Sequence, residues 1–584
     1  MINDQQLMMY LRKKLDNYRS YRSENSESEQ IEALRLYSNY RENQTNLWQT
    51  NIFLPYVFAM IETVLPRLAG YIWQGDKLVE AHPRYREDAV HADVVDNLLQ
   101  YQIDTRIENL FLEMIELMKC FLIYGNGIGK LWWDVQKDTA QFRNLDILDF
   151  YPQPHKKYID QMDGVFEVFD QPVDELYQMQ QQGFQYQNIE KLIHTSKQAK
   201  GEEAHIKKSG ETGKIENYEP SRPTALIYQY WGKIPVQESM EIGNGYSTST
   251  FKEAHIEIGN REFIIKNRKN QQGVPENPYF SPGDPDGFRP YIDAKNYLMP
   301  GEFWAKGDVT PVKDLQYEAN EHENSMMDNV KLLMNRMWMV DPNAGVNYSH
   351  LVSYPGNIVV GEIDKFKPID HKDMPQSVFS QQDRFPQQID RASGVFDYSK
   401  GGNAPGMTDT VGGISALIEE ANMRFSFKIE MVQMTAIKQF AEKLFKLDKI
   451  FMKGAEIPVR LQGGKGMEWM TINPDNISGL YDIKPIPVSM LGNKLAQQNG
   501  LIKLLEVVSK AAPIPGLVGS ILEKFEVPNK DEVLFELHRM WGIPPPGAPP
   551  LGAVPPAGPA GGGGPAISSP APPPTALPPQ AVAQ

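Results

Sequence analysis

The stretch from Ile414 to Lys453 contains neither glycine nor proline, and its apolar residues recur at steps of three and four. This spacing places them on one stripe of a helix, and a rise of ~1.5 Å per residue makes that helix roughly 60 Å long. A helix of this length outspans an ordinary domain. We therefore expect much of it to pack against other subunits or to scaffold an assembly. Its candidate assembly residues are Phe425, Ile429, Val432 and Phe440.

The charge balance limits the classes of partner. The chain of 584 residues has 59 basic and 74 acidic side chains, which gives a formal net charge of −15. Nucleic-acid binding through a broad basic surface requires clustered Lys and Arg, and this balance argues against it. The charge balance does not exclude a protein that surrounds DNA without binding it tightly.

The compartment follows from the cysteine count and the apolar segments. The single cysteine, Cys120, lies in an apolar helical pattern, so we expect a buried thiol in a reducing compartment. The N-terminal residues are polar and mixed in charge, unlike a secretory signal. The most apolar segment, Asn51 to Ile61, is too short to span a bilayer. We expect a soluble protein without a membrane contact, inside a cell or a particle.

The first half of the chain combines helices with strands. Helical periodicity covers Leu7–Tyr40, Trp48–Trp73 and His91–Leu122. A glycine turn at Tyr124–Gly129 precedes a strand, LWWDV, and Asn144–Phe150 alternates apolar and polar residues as a second strand.

A β-rich part follows. Gln180–Pro223 is polar, and we interpret it as a long surface excursion that is partly mobile. Ala225–Lys266 contains the strand ALIYQYWGKI and a hairpin, HIEI-GN-REFIIK, with a two-residue turn at Gly259 and Asn260. The fold class predicted is α+β, mainly helical.

Two further helices enclose a small β-rich insert. The first is predicted at Asp308–Met334, with Pro311 in its first turn and a net charge of about −4. Short strands and turns fill Arg336–Asp373. The second helix, Ser377–Val395, should be kinked by Pro386. The packing face of the first helix is predicted to comprise Leu315, Ala319, His322, Met326, Asn329 and Leu333.

The remaining segments differ in composition. Phe396–Gly413 is a loop with five glycines, and it connects the kinked helix to the long one. Glu456–Val488 has strand-like patterns and Leu491–Trp541 helical ones. Pro544–Gln584 is rich in proline and has no charged or aromatic residue, so we expect a disordered tail.

No catalytic constellation is found. Gly125–Lys130 resembles a phosphate-binding loop, but its spacing is wrong, and it follows a helix and enters a strand. Asp284–Gly287 has Lys295 where a calcium loop needs glutamate, and the histidines lack metal-ligand spacing. We predict no catalytic residue, no metal, no cofactor and a structural role instead of an enzyme.

The order of elements resembles the portal (head-to-tail connector) proteins of tailed double-stranded DNA bacteriophages. The resemblance covers roughly Trp48 to Trp541, and it rests on the order of several local runs. These runs are IETVLPR, YGNGIGKLWW, NLDILDFYPQP, EFWAKGDVTPVKDLQYEANEHENSMMDN, SYPGNIVV and IEEANMRFSFKIEMVQMTAIKQF. After the loop the family often shows Thr-Ala-Thr-Glu, whereas this chain has Thr408 to Gly413, ending in two glycines.

The resemblance implies a ring-forming subunit, usually one of twelve. It divides the chain into an N-terminal wing region (1–307), stem helix 1 (308–334), a small β-rich clip (335–373) and stem helix 2 (374–395). A tunnel loop (396–413), a long kinked wing helix (414–453), a wing β segment (454–490), a short helical crown (491–542) and a disordered Pro/Gly/Ala-rich tail (543–584) complete it.

The resemblance also implies site residues. They are Phe396, Tyr398, Lys400, Gly401, Gly402 and Asn403 in the tunnel loop; Lys313, Glu318, Glu321, Arg384 and Arg391 in the stem; and Trp338, Asn347, Tyr348, Tyr354, Pro355 and Gly356 in the clip.

The expected partners follow from that assignment. They are copies of the same chain, double-stranded DNA passing without sequence specificity, the terminase large subunit, a head-tail adaptor, and the major capsid and scaffolding proteins. The expected location is a capsid vertex of the virion, and the host cytoplasm during assembly. An acidic stem face would repel phosphates, while Lys400 would recur as a sparse circle of positive charge.

Two other functions are open at this point. One is another ring-forming component, such as a tail or baseplate protein, and the helix–insert–helix unit before the loop argues against it. The other is a nucleotide-dependent motor subunit, and the failed phosphate-binding loop argues against that.

Overall fold

The computed structural model describes residues 4–41, 48–73, 77–195, 222–235, 240–241, 247–248, 251–269, 276–279, 287–335, 337–343, 363–369, 374–394, 423–452, 456–460, 467–471, 477 and 479–486. The predictions for the tunnel loop (396–413), the crown (491–542) and the tail (543–584) lie outside these residues. So do most of the clip, residues 196–221 and the first turns of the long helix. The chain divides into Met1–Val488 and Ser489–Gln584, and every described residue belongs to the first unit.

The described helices are distributed along the whole first unit. The last of them, α11, is helical from 423 to 451 and contains a π-helical turn at Gln433–Ile437. None of the described helices is long and apolar enough to cross a membrane. The others are α1 (Asp4–Asn25), α2 (Glu27–Tyr37), α3 (Tyr56–Trp73), α4 (Ala92–Tyr101), α5 (Leu110–Tyr124), α6 (Val173–Gln181), α7 (Ile189–Thr195), α8 (Lys313–Met334), α9 (Gln376–Gln382) and α10 (Arg384–Ser393).

The strands are β1 (Val79–Pro83), β2 (Asn126–Asp134), β3 (Thr139–Leu145), β4 (Phe150–Pro152), β5 (Gly164–Pro172), β6 (Thr224–Pro235), β7 (Met240–Glu241), β8 (Ser247–Thr248), β9 (Phe251–Gly259), β10 (Phe263–Asn267), β11 (Tyr291–Lys295), β12 (Trp338–Val340), β13 (Phe366–Pro368), β14 (Glu456–Arg460), β15 (Met467–Thr471) and β16 (Tyr481–Pro485). The largest sheet has the order β10-β9-β6-β5-β4, and a second has the order β11-β2-β3. The pairs β1–β16, β12–β13, β14–β15 and β7–β8 are separate two-stranded sheets. Mixed helices and antiparallel sheets confirm the α+β class.

The main core lies between α3, α5, α11 and the three-stranded sheet. Leu131 of β2 and Phe121 of α5 are fully buried in it. Phe440 of α11 meets the ring of Phe142 edge to face, with centroids 5.4 Å apart. The apolar face of α1 covers one side of the five-stranded sheet, where Leu11 belongs to the same buried cluster as strand residues of β5, β6 and β9.

The long helix packs mainly within its own chain. Ile429, Val432 and Phe440 are buried, and Phe425 is half-buried against the main core. The periodicity therefore predicted the helix and its buried stripe correctly. The sheet β11-β2-β3 and its neighbours cover the buried residues of this stripe, and packing of the helix against other subunits stays a prediction.

Four local predictions need correction, and two of them concern strands and turns. Asn144–Phe150 is not one strand: Asp146 accepts a hydrogen bond from Leu148 N and starts a 3-10 turn, Ile147–Asp149, between β3 and β4. The β9–β10 loop has three residues, since Phe263 pairs with Gly259.

The other corrections concern packing. The predicted surface excursion Gln180–Pro223 contains α7, whose Ile189 and Leu192 are fully buried under the five-stranded sheet. Cys120 is half-buried instead of buried, with its sulfur 3.6 Å from Asn144 Nδ2.

Candidate functional site

The two predicted stem helices lie side by side and form a stem pair, α8 with α9 and α10. Gln382 at the end of α9 donates through Nε2 to Glu323 Oε2 at 2.8 Å, and its Oε1 lies 3.0 Å from His322 Nδ1. Phe385 of α10 is fully buried, and its ring meets that of His322 edge to face. A helix, a small insert and a returning helix therefore form one unit.

The ends of the stem pair follow from local chemistry. Pro311 lies in a 3-10 turn, Thr310–Val312, so α8 begins at Lys313 and not at Asp308. The second helix is interrupted at Asp383, as expected near Pro386, whose missing N–H cannot bond the carbonyl of Gln382. At the other end of α8, β12 pairs with β13, so the prediction of short strands in the insert is confirmed at its two ends.

A ladder of polar side chains runs along α8 and was missed by sequence reasoning. Its four residues are spaced four apart and bond the backbone of the extended segment 50–55, the strap, and the first turn of α3. The backbone donors and their acceptors are Thr50 N to Asp328 Oδ1 (2.6 Å), Ile52 N to Asn324 Oδ1 (2.6 Å), Leu54 N to Asn320 Oδ1 (2.9 Å) and Val57 N to Gln316 Oε1 (3.2 Å).

The ladder forms because the axial advance of four helical residues nearly equals that of two residues in an extended chain. Four helical residues advance ~6.0 Å, and two strand residues advance roughly 6.6 Å, so successive rungs meet alternate amides of the strap. Some rungs also donate: Asn324 Nδ2 bonds Ile52 O at 3.1 Å, and Gln316 Nε2 bonds Leu54 O at 2.6 Å. The strap is thereby bound to the helix much as a strand is bound to a neighbouring strand.

The ladder corrects the predicted packing face of α8. The buried residues of the helix are Gln316, Ala319 and Asn320, so only one of the apolar positions expected there is buried. Leu315, His322, Met326, Asn329 and Leu333 are half-buried. The sequence does contain polar residues at i, i+4, i+8 and i+12 of α8. This spacing indicates a ladder only when the strap is known to lie beside the helix.

A buried ion pair joins α11 to the segment that enters the stem. Lys428 Nζ lies 2.7 Å from Asp308 Oδ1, and both side chains are nearly inaccessible. The backbone N–H of Asp308 donates to the carbonyl of Leu122, in the last turn of α5. The adjacent Gly307 packs so closely on α5 that a Cβ atom would lie 2.2 Å from the carbonyl oxygen of Ile123. A side chain there would force α5 and the stem entry apart.

The former candidate for a phosphate-binding loop is part of this packing. Gly125 has φ 91° and ends α5, while Asn126 to Lys130 already belong to β2. Lys130 Nζ lies 2.5 Å from Glu167 Oε2, and Tyr291 donates to the same oxygen at 2.8 Å. Burial lowers the pKa of Lys130, and Glu167 opposes that shift. Its ammonium group serves an internal ion pair between the two larger sheets.

The predicted stem residues separate into two environments. Lys313 is bound inward, 3.1 Å from Glu32 of α2. Glu318 and Glu321 are exposed on α8, and Arg384 and Arg391 are exposed on α10.

Most of the other predicted site residues lie outside the part of the chain that the structure describes. Trp338 is half-buried in β12. Asn347, Tyr348, Tyr354, Pro355 and Gly356 of the clip, and Phe396, Tyr398, Lys400, Gly401, Gly402 and Asn403 of the tunnel loop, are not among the described residues. Within the described ranges, no group of His, Cys, Asp and Glu side chains could hold a metal ion.

Comparison with known proteins identifies the family. The family model described as the phage SU10 portal protein matches residues 7–148 and 135–512, from α1 through the stem pair and the long helix. No curated protein matches the chain. Because the model covers most of the sequence, the chain belongs to the phage SU10 portal protein family.

Proposed function

We propose that this chain forms the ring at a capsid vertex through which double-stranded DNA is packaged and ejected. The family match supports the role of a phage portal protein, which is a structural component of the virion. The observation that carries the proposal is the order helix, two-stranded insert, helix, glycine-rich segment and long helix, found inside that match.

The exposure of the stem pair supports assembly. Only three of the residues of α8 are buried, and none of α9. Helices of this length gain most of their stability from tertiary packing. Exposed apolar side chains on these helices would be covered by neighbouring copies in a ring. They are Tyr317, Val330, Met334 and Phe379, with 37%, 41%, 74% and 49% of their surface accessible.

The charge of α8 suits a channel for DNA. Glu318 and Glu321 are exposed, and Lys313, the basic residue of the first turn, is neutralised by Glu32. An acidic wall repels the phosphates and so prevents tight binding, which would oppose movement of the duplex. We assign the part of the exposed surface of α8 that carries Glu318 and Glu321 to the channel wall of the ring.

The remaining assignments are part of the same proposal. The insert between α8 and α9 would be the clip, which contacts the terminase large subunit during packaging and a head-tail adaptor afterwards. The major capsid and scaffolding proteins would surround the ring, and assembly would take place in the host cytoplasm. Residues 491–542 would form the crown inside the head.

The tunnel loop offers a direct test of function. It joins α10 to α11 in the chain, contains five glycines and has Lys400 as its one basic residue. Lys400→Glu should leave ring formation unchanged and reduce DNA packaging or retention, because a ring of sparse positive charge becomes negative. The packaged DNA per particle should be measured at several salt concentrations, since screening weakens the effect.

The control is Lys13→Glu, which makes the same charge change at an exposed position of α1, outside the stem pair, the clip and the tunnel loop. Packaging by Lys400→Glu particles at the level of the unsubstituted protein, at low salt, would contradict the assignment of this loop to the channel.

A further inference from the structure

A cavity of about 300 Å³ opens between the corner of α1 and α2 and the segment that leads into α8. Three aromatic side chains form part of its wall: Tyr21 of α1, Tyr124 at the end of α5, and Trp304. The ring of Trp304 already contacts one cation, because the guanidinium of Arg22 lies 5.5 Å from its centre. The cavity thus has walls that suit a flat or cationic group.

The charges that line the cavity are predominantly negative. Glu29 and Glu302 are both part of the lining, against a single lysine, Lys306. Glu302 is exposed and accepts a hydrogen bond from the hydroxyl of Tyr21 at 3.0 Å. The ammonium group of Lys306 lies 3.8 Å from Glu29, at the long end of an ion pair. Two carboxylates and one ammonium group leave a net negative charge beside the aromatic walls.

This combination selects a cation. Aromatic faces attract guanidinium and ammonium groups, and a carboxylate adds a charge-assisted hydrogen bond. An anion would meet the carboxylates, and a purely apolar group would shield them from water without adding a positive charge. An arginine side chain suits both features, because its planar guanidinium stacks on rings and bonds carboxylates.

The rim of the cavity indicates that the cation belongs to a protein. Met299 lines the opening and is 37% accessible, and its neighbours Leu298 and Tyr297 are 47% and 40% accessible. Aromatic residues, methionine and arginine are enriched in protein interfaces. The cavity also lies directly before α8, so a neighbouring subunit that packs on the stem pair would pass over its opening.

We propose that this cavity binds a guanidinium or ammonium side chain of a neighbouring copy of the chain. The inference rests on the ring proposed above, and it adds a specific contact at the level where the stem begins. Ring interfaces are heterologous, so each subunit would present the cavity on one side and supply the cation from another.

The test is the assembly of the purified full-length chain, measured by sedimentation velocity over a range of protein concentrations. Glu302→Lys places a cation at the cavity itself and should weaken subunit association at least tenfold, and Glu302→Gln should weaken it less. Ethylguanidinium should dissociate assemblies of the unsubstituted protein more than sodium chloride at equal ionic strength. It should have no such excess effect on Glu302→Lys.

The matched control is Glu24→Lys, an exposed position of α1 outside the cavity lining. It makes the same charge change and should assemble as the unsubstituted protein does, and circular dichroism should show that both variants are folded.

Assembly of Glu302→Lys at the same protein concentrations as the unsubstituted chain would overturn the inference and leave the proposed function intact. Calorimetric binding of spermidine that Glu302→Lys abolishes without a change in assembly would also overturn it, in favour of a free cation. Failure of the unsubstituted chain to form rings would instead contradict the proposed function.

Discussion

At the scale of single residues, the most unusual group is Asp448, which α11 places in the main core. Its side chain is fully buried, and Gln102 of the π-helical turn Gln102–Arg106 donates to its Oδ1 at 2.7 Å. Burial raises the pKa of Asp448 to about 7, and the hydrogen bond from Gln102 opposes that shift. The carboxyl group is therefore mostly protonated in the folded chain under mildly acidic conditions.

The raised pKa predicts how stability changes with pH. In the unfolded chain Asp448 ionises near its ordinary pKa of ~3.9, whereas in the folded chain it keeps its proton up to about 7. The folded state binds more protons between these values, so the free energy of unfolding should fall as pH rises through this window. The steepest fall from this group is about 1.4 kcal/mol per pH unit.

Asp448→Asn keeps a group that can hydrogen-bond Gln102 and removes the titration. We expect its stability to depend less on pH between about 4 and 7 than that of the unsubstituted chain, and to exceed it at pH 8. Urea unfolding at several pH values measures both effects. Glu430→Gln, an exposed position of the same helix, is the control. An identical pH dependence for Asp448→Asn and the unsubstituted chain would show that Asp448 is ionised in the core.

At the scale of residues, the sequence sufficed to exclude a phosphate-binding loop but not to predict tertiary contacts. The spacing at Gly125–Lys130 already argued against a phosphate-binding loop, and the structure places Lys130 beside Glu167 instead. The ion pair of Lys428 with Asp308 could not be predicted. Its two residues are far apart in sequence and meet only because α11 crosses the entry to the stem.

At the scale of elements, periodicity predicted what depends on one segment alone. The buried stripe of α11 is confirmed, because steps of three and four select one helix face. For the stem pair the helices are confirmed, but the packing face predicted for α8 is wrong. The prediction of a single strand at Asn144–Phe150 was wrong. Apolar and polar residues alternate there as in a strand, but the side chain of Asp146 accepts a hydrogen bond from the backbone two residues on. The ladder was missed because its acceptors on α8 are polar, and polar residues on a helix usually face solvent.

The ladder makes a specific prediction for Asn324, which both donates to and accepts from Ile52. Asn324→Ala removes both bonds and should lower the free energy of unfolding by about 1–2 kcal/mol, less the ~0.6 kcal/mol gained in helix propensity. The specific measurement is amide hydrogen exchange, which should become faster at Ile52.

Ser325→Ala is the matched control, because Ser325 is the next residue of α8 and is exposed. It should leave the exchange of Ile52 unchanged. Unaltered protection of this amide in Asn324→Ala would show that the strap is held extended by something other than the ladder.

At the scale of the whole molecule, the family could be inferred from the order of the segments, and the model match confirms it. The order of the segments did not indicate which surfaces the long helix contacts. Its described part is covered by the sheet β11-β2-β3 of its own chain, while the stem pair keeps apolar side chains exposed. We therefore expect assembly to depend more on the stem pair than on the buried stripe of the long helix.

The proposed function requires that the stem pair lines a channel in a closed ring, and electron cryo-microscopy of the purified full-length chain tests this. We expect end-on views of closed rings with a central channel wide enough for a DNA duplex, and a reconstruction in which Glu318 and Glu321 of α8 face that channel. A particle without a central channel, or a ring in which α8 lies on the outer surface away from the axis, would contradict it.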